Sequence, residues 1–161
     1  MRSLVPICSL ALAILLPSGG GHAAQGQTMP ATSSSASPTA RAAIATVNAF
    51  HQALSRADLA AAAALLREEA LIFESGGVER SRAEYVSHHL PADAAFAKAT
   101  TRTVTAQSAN ASGDLAWVAT ESRTRGTFKG RAIDSGSTET MVLRRERGTW
   151  KIAHIHWSSG K

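Results

Sequence analysis

The chain has 161 residues, 44% of them hydrophobic and 18% charged, which suits one globular domain with a core of ordinary size. The formal net charge is +5, but the Lys and Arg residues are scattered, so a solvated basic surface is expected and a nucleic-acid partner is not. Cys8 is the only cysteine, which excludes a disulfide framework or a Cys-based metal site in the folded domain.

The segment "MRSLVPICSLALAILLPSGGGHAAQGQ" opens with one positive charge, Arg2, followed by an apolar run from Leu4 to Leu16 and then small residues. At 1.5 Å per residue that run is too short to cross a ~30 Å bilayer. It is read as a secretory signal peptide over 1–24, cleaved after Ala23 or Ala24, which predicts a periplasmic or secreted protein with no stable membrane insertion. No small residue precedes Cys8, so lipidation is not expected. Residues 25–38, "QGQTMPATSSSASP", carry no charge and read as a disordered linker, leaving 39–161 as the domain.

Apolar residues recur at Ile44, Val47, Phe50 and Leu54, the spacing of an amphipathic helix. His51 lies on the same stripe and reads as a histidine turned to the core. Asp58 caps a second predicted helix, "LAAAAALLREE". "ALIFESGG" reads as a strand and turn. "SRAEYVSHHL" opens with a capping box, Ser81 and Glu84, and places Tyr85, Val86, His89 and Leu90 on one face. Pro91 breaks that helix, and "ADAAFAK" adds another turn or two.

From Thr100 the period changes to two. "TTRTVTAQSA", "GDLAWVATESRTRG", "DSGSTETMVLRRER" and "GTWKIAHIHWSS" read as four strands separated by turns. Helices followed by consecutive strands predict an α+β domain with helices packed on one face of a curved antiparallel sheet. Leu115, Trp117, Ala119 and Glu121 share one face, as do Glu139, Met141 and Leu143. In the last strand strict alternation puts Trp150, Ile152, His154, His156 and Ser158 on one side. If these faces all line the concave side, Glu121, Glu139, His154 and His156 converge with Tyr85 and His89.

"FHQALSRADLAAAAALLREEALIFESGG", "SRAEYVSHHL", "GDLAWVATESRTRGTF" and "STETMVLRRERGTWKIAHIHWSS", taken in order, resemble the NTF2-like superfamily, in particular its SnoaL-like and DUF4440 group. The ending is also similar to the last strand of the calcium/calmodulin-dependent kinase association domain, a non-catalytic oligomeriser. The resemblance spans residues 40 to 159. It implies a cone with a pocket at one end, and a homodimer formed through the outer face of the sheet, with Ile155 and Trp157 as candidate interface residues. It names no reaction, because this fold hosts isomerases, cyclases, dehydratases, ligand binders and assembly modules.

Three site chemistries fit the residues. His154 or His156 with Glu121 or Glu139 suits acid–base catalysis on a small, partly apolar molecule, within a pocket walled by Tyr85, His89, Trp117, Met141 and Trp150. His89, His154 and His156 form a candidate metal triad for a divalent ion such as Zn²⁺, Cu²⁺ or Ni²⁺, although the sequence requires no cofactor. The third is a non-catalytic dimerisation or ligand-binding module.

Overall fold

The structure is a computed structural model that describes residues 36–160. The signal segment and most of the linker read from the sequence lie outside the described residues. Ser37 and Pro38, at the end of that linker, belong to the domain instead. The Ser37 hydroxyl accepts from the Ala40 N–H and Pro38 enters the first turn of helix α1 (Pro38–Ser55).

Helix α2 (Leu59–Leu65) follows, capped by Asp58 as expected. It stops four residues before the end of the helix read from "LAAAAALLREE". Leu66 starts strand β1 (Leu66–Glu74) and pairs with Ile152, burying both side chains completely. Tertiary pairing overrides the local helical preference there. Strand β2 (Gly77–Glu79) leads into α3 (Arg82–His88) and α4 (Leu90–Ala99), with the expected capping box at Ser81 and Glu84 and Pro91 in the first turn of α4. Four long strands complete the chain: β3 (Thr100–Ser112), β4 (Leu115–Phe128), β5 (Arg131–Glu146) and β6 (Thr149–Ser159). Lys129–Gly130 and Arg147–Gly148 close the β4–β5 and β5–β6 hairpins with positive φ at both residues, the geometry that matches strand twist.

The six strands lie in the order β2-β1-β6-β5-β4-β3. The α+β plan holds, but the sheet is mixed: β1 runs parallel to β6, and the remaining pairs are antiparallel. A parallel neighbour needs a long crossover, and the chain between β1 and β6 contains α3, α4 and four strands.

Cross-strand neighbours point to the same face, so the inner face can be read row by row. Ala116, Leu143, Ile152 and Leu66 form one row, and Val118, Met141, Ile155 and Ile72 the next; all eight are buried. Ala43, Val47, Phe50 and Leu54 of α1 belong to the same core. A third row changes character: Gln107, Thr120, Glu139, Trp157 and Glu74 cross five strands. The core is therefore closed along the apolar rows and becomes polar along the third.

The last strand departs from strict alternation. Leu143 pairs with Ile152 and Val142 with His154, which leaves Ala153 as an extra residue in β6. This bulge inverts the parity of everything after it. Ile155 and Trp157 turn inward with Trp150 and Ile152, while His154 and His156 turn outward. Among the described residues no helix is long and apolar enough to cross a membrane.

Candidate functional site

A cavity of about 410 Å³ opens beside the polar row, bounded by α1, α4, the end of β1 and strands β3 to β6. Its apolar wall includes Leu54, Phe96, Phe128 and the Trp157 ring; its polar groups include His51, Glu74, Asp93, Arg102 and Glu139. The Trp157 ring stacks on Phe50, with centroids 6.4 Å apart, and lies 6.3 Å from the ring of Tyr85.

Glu139 is the centre of one group. Its neighbours on β5 fix it on the inner face, and its side chain is only 4% exposed. Two donors meet at Oε2: His51 Nε2–H at 2.7 Å and Trp157 Nε1–H at 2.6 Å. Arg102 Nη2 lies 3.6 Å from Oε1. Burial pushes the Glu139 carboxyl up, but the His51 hydrogen bond and charge, the indole N–H and Arg102 together hold it below its ordinary value of 4.5. Burial draws the Arg102 guanidinium down, and the Glu139 charge opposes that shift. With Glu139 ionised, the shared proton sits on His51 Nε2, so Nδ1 is the basic atom of the neutral ring.

The second group lies on the helices. The Tyr85 hydroxyl on α3 donates to Asp93 Oδ2 on α4 at 2.7 Å across the Pro91 break. Burial raises the Asp93 carboxyl above its ordinary 3.8, with the Tyr85 hydrogen bond and His89 pulling the other way. Burial and the nearby Asp93 raise Glu74 as well. Tyr85 itself is buried and its pKa is raised, chiefly by burial and then by Asp93, so it acts as a donor. One cavity thus holds a carboxylate kept ionised and two carboxyls pushed toward the protonated form.

The raised Asp93 value has a testable sign. A group whose folded pKa exceeds its unfolded one favours the native state below the unfolded value, and that contribution is lost as pH rises through the folded value. Asp93→Asn keeps an acceptor for Tyr85 and removes the titration. Urea unfolding should find the variant more stable than the parent at pH 7, by about 1 kcal/mol, with the gap closing near pH 4. A variant less stable than the parent at pH 7 would contradict this assignment.

Of the residues singled out in the sequence, Glu139 lines the cavity, and Tyr85 reaches it through Asp93 and Trp157. The others are corrected. The bulge at Ala153 carries His154 and His156 to the outer face, where both rings stand edge-on to Phe73 and His154 Nδ1–H donates to the Leu71 carbonyl. Glu121 and Trp117 also face outward, because Ala116, Val118, Thr120 and Ser122 take the inner positions of β4. Met141 is sealed in the apolar core and Trp150 is buried with Arg145 over its ring. His89, half-exposed, binds the buried Glu79 instead of lining the cavity. His89, His154 and His156 do not come together, and among the described residues no group of three His, Cys, Asp or Glu side chains is placed to hold a metal ion. Ile155 and Trp157, expected at an outer interface, point inward.

Sequence reasoning passed over His51, Arg102, Asp93 and Glu74 as site residues. His51 carried the clearest signal, an imidazole on the apolar stripe of α1. Asp93 carried a similar one, three residues after the buried Leu90 and one before the buried Ala94. Arg102 and Glu74 stood in strands whose facing could not be read without their partners.

A family model described as a SnoaL-like domain matches residues 44–160. The chain belongs to the SnoaL-like family. Among solved structures, this SnoaL-like chain is similar to a candidate ketosteroid isomerase from Shewanella frigidimarina NCIMB 400, at 41% identity and a TM-score of 0.70, over 73% of this chain and 94% of that one. A candidate dehydratase of the NTF2-like family from Streptomyces avermitilis shares 18% identity, with a TM-score of 0.66 over 74% and 95% of the two chains. A candidate calcium/calmodulin-dependent protein kinase II association domain from Xanthomonas campestris shares 19%, with a TM-score of 0.65 over 74% and 86%. The last two establish likeness of fold alone, and the NTF2-like expectation is met. No curated protein matches the SnoaL-like chain.

Proposed function

We propose that this SnoaL-like domain binds a small, partly apolar molecule in the cavity and moves a proton on it. The observation that carries the reading is the split among the cavity's carboxyl groups: Glu139 held ionised, Asp93 and Glu74 held toward the protonated form. Titratable groups whose environments push their pKa values apart mark a site suited to acid–base work. Glu139 fixes the His51 tautomer and stabilises the imidazolium that forms when Nδ1 takes a proton. The imidazolium then returns that proton to the substrate. The Shewanella relative, a candidate isomerase, supports this class of chemistry.

A 1,3-proton shift tests it with the least demand on specificity. β,γ-Cyclohexenone loses a proton from the carbon between its carbonyl and its double bond, the electron pair shifts, and a proton returns at the γ carbon to give the α,β isomer. The protein should accelerate this above buffer, and His51→Asn should lower the rate by about 100-fold. A parent rate equal to buffer, or one that His51→Asn leaves unchanged, would count against proton-transfer catalysis and leave a binding module.

Two further parts of the reading concern placement and assembly. Residues 1–24 support export to the periplasm or beyond, which a mature chain starting near Gln25 in native material would verify. The outer sheet face carries Trp117, 43% exposed, in a row with Val142, His154 and Leu71. That apolar strip supports a homodimer, and a monomeric mass in sedimentation would rule it out.

A further inference from the structure

The Arg102–Glu139 pair has a property that proton transfer by His51 does not use. Arg102 Nη2 and Glu139 Oε1 lie 3.6 Å apart, beyond hydrogen-bond reach. Both atoms are buried and neither has a hydrogen-bond partner among the described residues. Both residues line the cavity. The other carboxylate oxygen is served twice, by His51 and Trp157, so Oε1 is the unserved half of an otherwise satisfied group. A buried charged donor and a buried charged acceptor each left without a hydrogen bond are costly and uncommon, and two such atoms side by side call for a shared partner.

We infer that Arg102 and Glu139 together recognise one hydroxyl group of a neutral ligand, an alcohol, phenol or enol, which donates to Glu139 Oε1 and accepts from Arg102 Nη2. The inference rests on the small-molecule reading of this cavity and narrows its ligand class. Ether, ketone, carboxylate and ammonium groups each satisfy one atom and not both. An ether or ketone oxygen accepts from Arg102 but has no proton for the carboxylate. A ligand carboxylate pairs with Arg102 but brings a second negative charge against Glu139. An ammonium pairs with Glu139 but meets the guanidinium. A hydroxyl is donor and acceptor at one atom and adds no charge. The rings of Phe96, Phe128 and Trp157 on the cavity wall suit a flat apolar body attached to it.

Four probes decide it by equilibrium dialysis against the purified protein at neutral pH: β-naphthol, its methyl ether, naphthalene and β-naphthoate. β-Naphthol should bind about 10- to 100-fold more tightly than the ether and naphthalene, the span expected for hydrogen bonds to charged groups. Arg102→Met, with its fold checked by circular dichroism, should erase most of the preference for β-naphthol over its methyl ether. The ranking of the four probes on the parent protein stands without the variant. If naphthalene binds and β-naphthol binds no better than the ether, hydroxyl recognition is wrong and the small-molecule pocket survives. If β-naphthoate binds best, the site recognises an anion through Arg102, and the inference is overturned. Retention of none of the four overturns the pocket reading and this inference with it.

Discussion

Inserting one alanine directly after Ala153 should leave the domain unfolded or cost it more than about 4 kcal/mol, the range reserved for disruption of a core. The effect of the added residue is on parity. In the parent, Ile155 pairs with Met141 and Trp157 with Glu139 on the inner face. With one more residue ahead of His154 in the ladder, His154 would stand opposite Met141 and His156 opposite Glu139, and Ile155 and Trp157 would turn to solvent. Exposing the fully buried Ile155 alone would cost about 1.5–3 kcal/mol. Two imidazoles would enter the core, and Glu139 would lose the Trp157 N–H. Against a typical total of about 5–15 kcal/mol, the sum is decisive. Ala153→Ser, which keeps the residue count, is the control and should melt near the parent. Thermal melts followed by circular dichroism compare the three proteins, and an insertion variant melting with the parent would show that residue count at the bulge does not set the register.

The second large effect concerns the buried carboxylate. His51→Leu should destabilise the protein by about 2–3 kcal/mol, somewhat below the usual cost of breaking a buried pair because His51 is 18% exposed. Trp157 and Arg102 remain, but Glu139 loses a charge-assisted donor at Oε2. Adding Glu139→Gln to His51→Leu should recover part of the loss, since a neutral amide needs less compensation than a carboxylate. A double variant less stable than His51→Leu would argue against an ionised Glu139. The pH dependence is a separate check. The lowered folded value of Glu139 contributes stability above the unfolded value of 4.5, lost as pH falls through the folded one. Asp93 and Glu74 act with the opposite sign in the same acid range. The parent-minus-Glu139→Gln difference therefore isolates Glu139, and it should shrink on acidification.

These predictions divide along the line between local and distant information. Sequence patterning determined the amphipathic α1, both helix caps, the Pro91 break and the change from period 3.6 to period two at Thr100, because each depends on residues within a turn or a strand of one another. It also placed Glu139 correctly with Met141 and Leu143, since β5 alternates without interruption along that stretch. Tertiary structure alone decided the rest. Whether "LREE" is helix or strand turned on burying Leu66 beside Ile152, far away in the chain. The single extra residue at Ala153 is visible only against the ladder of β5, and it exchanged the histidine pair for Trp157 as the partner of Glu139. The meeting of His51, Arg102 and Glu139 likewise needed α1, β3 and β5 packed together. Alternation within one strand says which residues share a face; only its neighbours, through hydrogen-bond register and burial, say which face looks into the cavity.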